Sequence, residues 1–255
     1  MKINPYFRTT LAKPFQGKFL HEAGAEVILN IPINSKTIGN FIIMLPDPVS
    51  LNLNNAQAFI DKWVKLKERI NKSKNFTVYS SALSEDDISG KSQEQIKHLD
   101  PNANFYRTLD EEKVFECIQS SIGVVISLIT AMEAFVNVVI PHDYILQRTN
   151  KRSEKENLNK DSIVKKLSIS EKIILIADIK GKADLKEQVF WSTFHEVKKL
   201  RNDIIHFKKT DANINNMWAP IIIGFLDSDL QKFFDHFVIM IDYLHSGYLD
   251  TKTNI

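Results

Sequence analysis

The chain has 255 residues, 44% hydrophobic and 25% charged, with only eight glycines and eight prolines. Such a composition excludes a disordered chain, a collagen and a coiled-coil rod, and so few helix breakers point to long helices. Thirty-three basic against 31 acidic residues leave a net charge of +2, which excludes nucleic-acid binding through the whole surface and makes any such binding local. The single cysteine, Cys117, can form neither an internal disulfide nor a Cys-based zinc site, so a reducing cytoplasm is the simplest compartment.

Residues 1–107 read as a smaller, mixed α/β region of unknown role. Met1 to Arg8 hold no apolar run of signal-peptide length. Two β-branched runs, at residues 25–31 and 38–45, are bounded by Pro32 and Pro46 and predict short strands. A helix capped by Asn54 or Asn55 follows, with Phe59, Trp63, Leu66 and Ile70 on one stripe and Lys62, Lys65, Lys67 and Arg69 off it. Residues 79–107 are polar and irregular and read as a linker, which places a domain boundary after residue 107.

From residue 108 to 255 the pattern is helical. Thr108 and Glu111 have capping-box spacing, and the helix they open runs to Pro141. Its centre is the most apolar stretch of the chain, yet Ser127, Thr130, Glu133 and Asn137 interrupt it, so it reads as a buried core helix and not as a membrane span. Residues 147–160 read as a charged loop or basic arm. Ser168 and Glu171 cap a second helix, ending at Gly181. A third covers about Asp184 to Phe207, with Phe190, Phe194, Val197 and Ile204 on its apolar face and Arg201 on the same stripe. A fourth starts near Asp227 or Ser228 and carries Leu230, Phe233, Phe234, Phe237, Ile241 and Leu244 on one face. The expected fold is therefore α+β overall and mainly α, with a carboxy-terminal up-and-down bundle.

One segment stands out for its chemistry. Between Glu196 and Lys209 five cations (Lys198, Lys199, Arg201, Lys208, Lys209) face two acids (Glu196, Asp203), so 5 − 2 gives +3, more than the charge of the whole chain. Each helical residue turns by roughly 100°, so Asn202 and His206 share a face, His195 joins them, and Arg201 diverges from His206 by roughly 140°. Arginine offers a planar fork for phosphate oxygens, and histidine moves a proton near neutral pH. Arg201, Asn202 and His206 thus suit an anionic substrate and proton transfer. A bland reading stands beside it, in which His206 caps the helix end and the charges are solvated. On the first long helix Thr130, Glu133 and Asn137 form a polar stripe. A buried Glu133 would need a partner, for which Arg201 is the obvious candidate; the bland alternative pairs Glu133 with a nearby lysine or with solvent.

The run Ala-Met-Glu-Ala-Phe from Ala131 to Phe135, the later Leu-Ser-Ile-Ser-Glu-Lys-Ile from Leu167 to Ile173, and Leu-Arg-Asn-Asp-Ile-Ile-His-Phe from Leu200 to Phe207 together resemble the HEPN superfamily (higher eukaryotes and prokaryotes nucleotide-binding). The resemblance covers about residues 110–248 and rests on an Arg-x4-His motif, here Arg201, Asn202 and His206. It implies a four- or five-helix bundle that dimerises with its motifs facing each other. It also implies a cytoplasmic, metal-independent endoribonuclease acting in stress response or antiviral defence. In that scheme the RNA 2′-OH attacks the adjacent phosphorus, leaving a 2′,3′-cyclic phosphate and a 5′-OH. Arg201, Asn202 and His206 would be catalytic; Lys198, Lys199, Lys208 and Lys209 would track the RNA; Glu133, Glu196 and His195 would support them. No cofactor, metal or membrane is implied, and no regulator or antitoxin is identified. Some toxin members carry a tyrosine two residues after the histidine; Lys208 stands there in this chain, which points away from that particular pairing. A non-catalytic HEPN module for dimerisation or nucleotide binding is the alternative, and an unrelated helical bundle is a third reading.

Overall fold

A computed structural model describes residues 8–10, 15–16, 20–21, 26–28, 30–35, 37, 39–44, 47–72, 76–80, 82–107, 110–149, 153–205 and 214–249. Near the amino terminus β1 (Arg8–Thr10), β2 (Phe15–Gln16), β3 (Leu20–His21), β4 (Glu26–Ile28), β5 (Asn30–Ser35) and β6 (Gly39–Met44) form three antiparallel pairs: β1 with β4, β2 with β3, β5 with β6. The strand expected at 25–31 is split between β4 and β5, and β5 continues through Pro32, opposite Ile42. A two-stranded ladder has only edges, where proline's missing donor is tolerated.

Helix α1 (Pro48–Asn71) begins earlier than Asn54. The Asp47 carboxylate accepts from the N–H groups of Val49 (3.3 Å) and Ser50 (2.9 Å), and Pro48 occupies the first helical position. The buried stripe is Val49, Leu53, Ala56, Ile60, Trp63 and Leu66, so Ile60 takes the place expected for Phe59. Phe59 instead lies over Gly123, where a Cβ would meet its ring at 2.7 Å.

The chain divides into two compact units, residues 1–60 with 121–255 and residues 61–120. In the second, the segment expected to be a linker is folded. Strands β7 (Phe76–Tyr79) and β8 (Asn104–Arg107) pair antiparallel, and between them lie α2 (Glu85–Ile88) and α3 (Gln93–Leu99). Both short helices open on capping boxes, Ser84 with Asp87 and Ser92 with Gln95. Ser80 donates to Asp100 at 2.6 Å and ties the strand end to the end of α3.

Helix α4 (Glu111–Val139) opens with Asp110, which accepts from the Lys113 N–H at 3.2 Å; Thr108, expected in that role, lies outside the described residues. By length and composition α4 is long and apolar enough to cross a membrane, and half of its most apolar window is buried inside the protein. Val124, Val125, Leu128, Ala131, Met132, Phe135 and Val136 are all buried, the pattern of a core helix.

The expected loop at 147–160 is a hairpin, β9 (Leu146–Thr149) paired with β10 (Lys155–Leu158). Then come α5 (Lys160–Lys166), α6 (Ile169–Ile179), α7 (Val189–Ile205), α8 (Ile214–Asp227) and α9 (Leu230–Leu244). Helix α6 carries the expected Ser168–Glu171 capping box, and α9 is capped by Asp229. Helices α5 and α8 are additional to the four expected. The chain is mainly α, with strands in two-stranded pairs among the described residues.

The core centres on α9, whose Leu230, Phe233, Phe234, Phe237, Met240, Ile241 and Leu244 are buried. Helix α7 packs on α9 and α8. Phe194 meets Phe237 with ring centroids 6.2 Å apart, and Leu200 lies 3.4 Å from where a Cβ on Gly224 would stand. Tyr248, after α9, stacks edge-on against Phe135 at 5.1 Å and donates to Asp47 at 3.2 Å. Burial, with the nearby Asp47 carboxylate, raises the Tyr248 phenol above its ordinary pKa.

Candidate functional site

Helix α7 buries Phe190, Thr193, Phe194 and Val197, and beyond Val197 its side chains are at most half-buried. The change of character begins where the cations begin. Arg201 and Asn202 are both half-buried, and Arg201 Nη1 donates to Asn202 Oδ1 at 3.1 Å. Arginine has five N–H donors, and the bond to Asn202 uses one of them. Among the described residues no carboxylate pairs with Arg201. A guanidinium oriented by a neutral amide is a binding group for a phosphate or carboxylate.

One turn earlier, Lys198 Nζ donates to Ser170 Oγ on α6 at 2.7 Å. A neutral hydroxyl orders the ammonium without consuming its charge. Ser170 lies in the first turn of α6, beside the capping box in which Glu171 accepts from the Ser168 N–H at 2.7 Å. Those hydrogen bonds hold the Glu171 carboxyl below the usual carboxylate range, helped by the charges of Arg148 and Lys198.

The other predicted site residues divide as follows. His195 lies on the same helix, edge-on to Trp191 (4.6 Å) and Phe194 (5.3 Å). Partial burial first, and Lys198 second, lower its pKa below the ordinary histidine value. Lys199 pairs with Asp203 at 2.9 Å on the surface, an ion pair worth about 0–1 kcal/mol. Glu196 is exposed. His206, Lys208 and Lys209 lie outside the described residues, and α7 as described ends at Ile205.

Glu133 is exposed, and among the described residues it makes no ion pair with Arg201. The reason is local. Thr130 and Glu133 are exposed on α4 while Asn137 is half-buried, and Thr130 returns its hydroxyl to the Ile126 carbonyl at 2.8 Å. The polar stripe instead meets α6: Lys172, 3% exposed, donates to Asn137 Oδ1 at 3.0 Å. Burial lowers the Lys172 pKa, and the Glu133 charge partly offsets the shift.

Four polar residues around α6 are not singled out by any sequence pattern. Ser170 is visible in the sequence only as part of a capping segment. Lys172 leaves a faint signal, one lysine before the apolar run Ile173-Ile174-Leu175-Ile176. Arg148 and Glu156 stand in a stretch whose composition suggests solvated charge.

Among the described residues no three His, Cys, Asp or Glu side chains gather to hold a metal ion. No family model, curated protein or solved structure matches the chain.

Proposed function

We propose that this protein is an HEPN-type helical bundle and a metal-independent endoribonuclease of the cytoplasm, working as a homodimer in stress response or antiviral defence. The observation that carries the reading is Arg201: half-buried, oriented by Asn202, and facing no carboxylate among the described residues. Lys198, fixed on Ser170, adds a second ordered cation one turn away on the same helix.

The chemistry is the one that the HEPN resemblance implies. RNA enters by its phosphates, which Arg201 and Lys198 attract. The 2′-oxygen attacks the neighbouring phosphorus and gives up its proton; the 5′-oxygen leaves and takes one, so the product is a cyclic phosphate and a free 5′-OH. His206 serves as the proton carrier, the step an imidazole near neutral pH performs best. Arg201 stabilises the charge that builds on the phosphoryl oxygens in the transition state. Asn202 is a positioning residue, because it holds the guanidinium. Lys199, Lys208 and Lys209 extend the cationic track.

The test is purified protein with mixed-sequence RNA in EDTA, wild type against His206→Ala, both checked first for equal folding and dimer content. Wild type should leave 2′,3′-cyclic phosphate ends, and His206→Ala should be slower by about 10²–10⁴-fold. If neither protein cuts while both are folded and dimeric, the ribonuclease reading fails and a non-catalytic binding module takes its place.

A further inference from the structure

The β9–β10 hairpin has the sequence of an ordinary charged loop, yet its fold aims its charges. Glu156 and Arg148 are directly opposite in the antiparallel register. The Arg148 guanidinium donates to Glu156 at 2.6 Å, and Lys166 of α5 reaches the other oxygen of the same carboxylate at 3.3 Å. Two cations therefore share one acid, and the trio keeps a net charge of +1. Lys166 is 52% exposed and Arg148 32%, so both can meet a solvent-borne anion.

This trio belongs to the same neighbourhood as the α7 site. Lys166 ends α5 two residues before Ser168, the cap of α6, and Ser170 in the first turn of α6 holds Lys198 at 2.7 Å; the charges of Arg148 and Lys198 both bear on the Glu171 carboxyl in that same turn. That carboxyl is committed to its capping bond with Ser168. The acids between the cations are thus bound to protein donors, Glu156 inside the hairpin and Glu171 in the cap, while Lys198 rests on a hydroxyl. Cations ordered by shared or neutral partners are what a phosphate chain needs, since little has to be unmade before the phosphate binds.

We propose that the hairpin is a phosphate-tracking arm: Arg148 and Lys166 hold the RNA backbone that extends beyond the phosphates bound at Lys198 and Arg201. This rests on the ribonuclease reading of the α7 site and adds to it a second stretch of bound strand.

Binding of a mixed-sequence single-stranded RNA to the full chain, followed by fluorescence anisotropy over a range of salt, tests it. The parent carries His206→Ala so that the RNA stays intact, and Arg148→Gln, Lys166→Gln and their combination are made in it. Removing one phosphate-binding cation should lower the slope of log K against log salt by about 0.7 and weaken binding about five-fold near 0.1 M salt; the double variant should lower the slope by about twice as much. Lys166→Gln leaves the Arg148–Glu156 ion pair in place, so it reads the arm even if Arg148→Gln opens the hairpin. If both single variants bind as the parent does while Lys198→Gln in the same parent binds more weakly, the arm is refuted and the α7 site stands. If the parent itself does not bind RNA, the reading beneath this inference fails first.

Discussion

Helices α7 and α9 lie side by side and use their sequences in opposite ways. Along α9 every buried residue is apolar, seven of them from Leu230 to Leu244. On α7 burial stops at Val197, and the next turns hold Lys198, Arg201 and Asn202 at half-burial. The two meet through Phe194 against Phe237 and through a hydrogen bond between Thr193 Oγ1 and His236 Nδ1 at 2.8 Å. One helix is a scaffold. The other is anchored by its first half and displays its second. Half-buried polar groups with defined partners are ordered without being neutralised, which is the condition a binding site requires and a packed core avoids.

The largest effect should come from the scaffold side. Phe237 is 1% exposed and packs on Phe194, so Phe237→Ala should cost about 3–5 kcal/mol in urea unfolding. A cost below about 1 kcal/mol would remove the contrast, since α9 would then be no more a core element than the end of α7. A smaller effect is expected at the joint of α4 and α6. Lys172→Met removes a buried amine and should leave the protein as stable as before, or more stable by about 1 kcal/mol near neutral pH. Its pH dependence has a definite sign. The folded pKa of Lys172 is lowered, so above it the native state has released a proton that the unfolded chain still binds, and wild-type stability rises with pH up to the ordinary lysine range. The advantage of Lys172→Met should therefore shrink as pH approaches about 10.4. Paired unfolding curves at several alkaline pH values check this, and an advantage that grows would reverse the assignment.

How far the fold can be read from residues alone depends on what each element buries. The stripe expected on α9 is buried at all six positions, because its partners are apolar and the 3.6-residue period is clean. In α1 the period is legible but its phase is not: Phe59 and Ile60 both stand at helical spacing from Trp63, and only the approach to Gly123 decides between them. The β9–β10 hairpin is hidden because the half-buried side chains at its centre are an ion pair, which leaves Leu146 and Leu158 as its only hydrophobic alternation. Helix α8 is hidden behind Pro220, which ordinarily argues against a helix interior. At the candidate site Arg201 and Asn202 are singled out by the Arg-x4-His pattern, whose His206 lies outside the described residues, whereas Ser170 depends on the approach of α6 to α7, which no local pattern encodes.

The smallest expected effect probes the display half of α7 directly. His195 has its pKa lowered by partial burial against its aromatic neighbours and, to a lesser degree, by the Lys198 charge one turn on. Lys198→Gln removes the lesser cause and keeps the greater. In an NMR titration the His195 pKa should rise in that variant yet remain below the ordinary histidine value. The stability consequence has the matching sign: with a depressed folded pKa, the unfolded chain takes up the proton first as pH falls, so wild type loses stability below about pH 6.5 and Lys198→Gln loses less. A histidine that does not move would mean that the Lys198 ammonium is screened or turned away from this face, and the proposed cationic track would then lack the residue that links α7 to α6. A histidine that rises as expected keeps the ammonium within electrostatic reach of the face that carries Asn202.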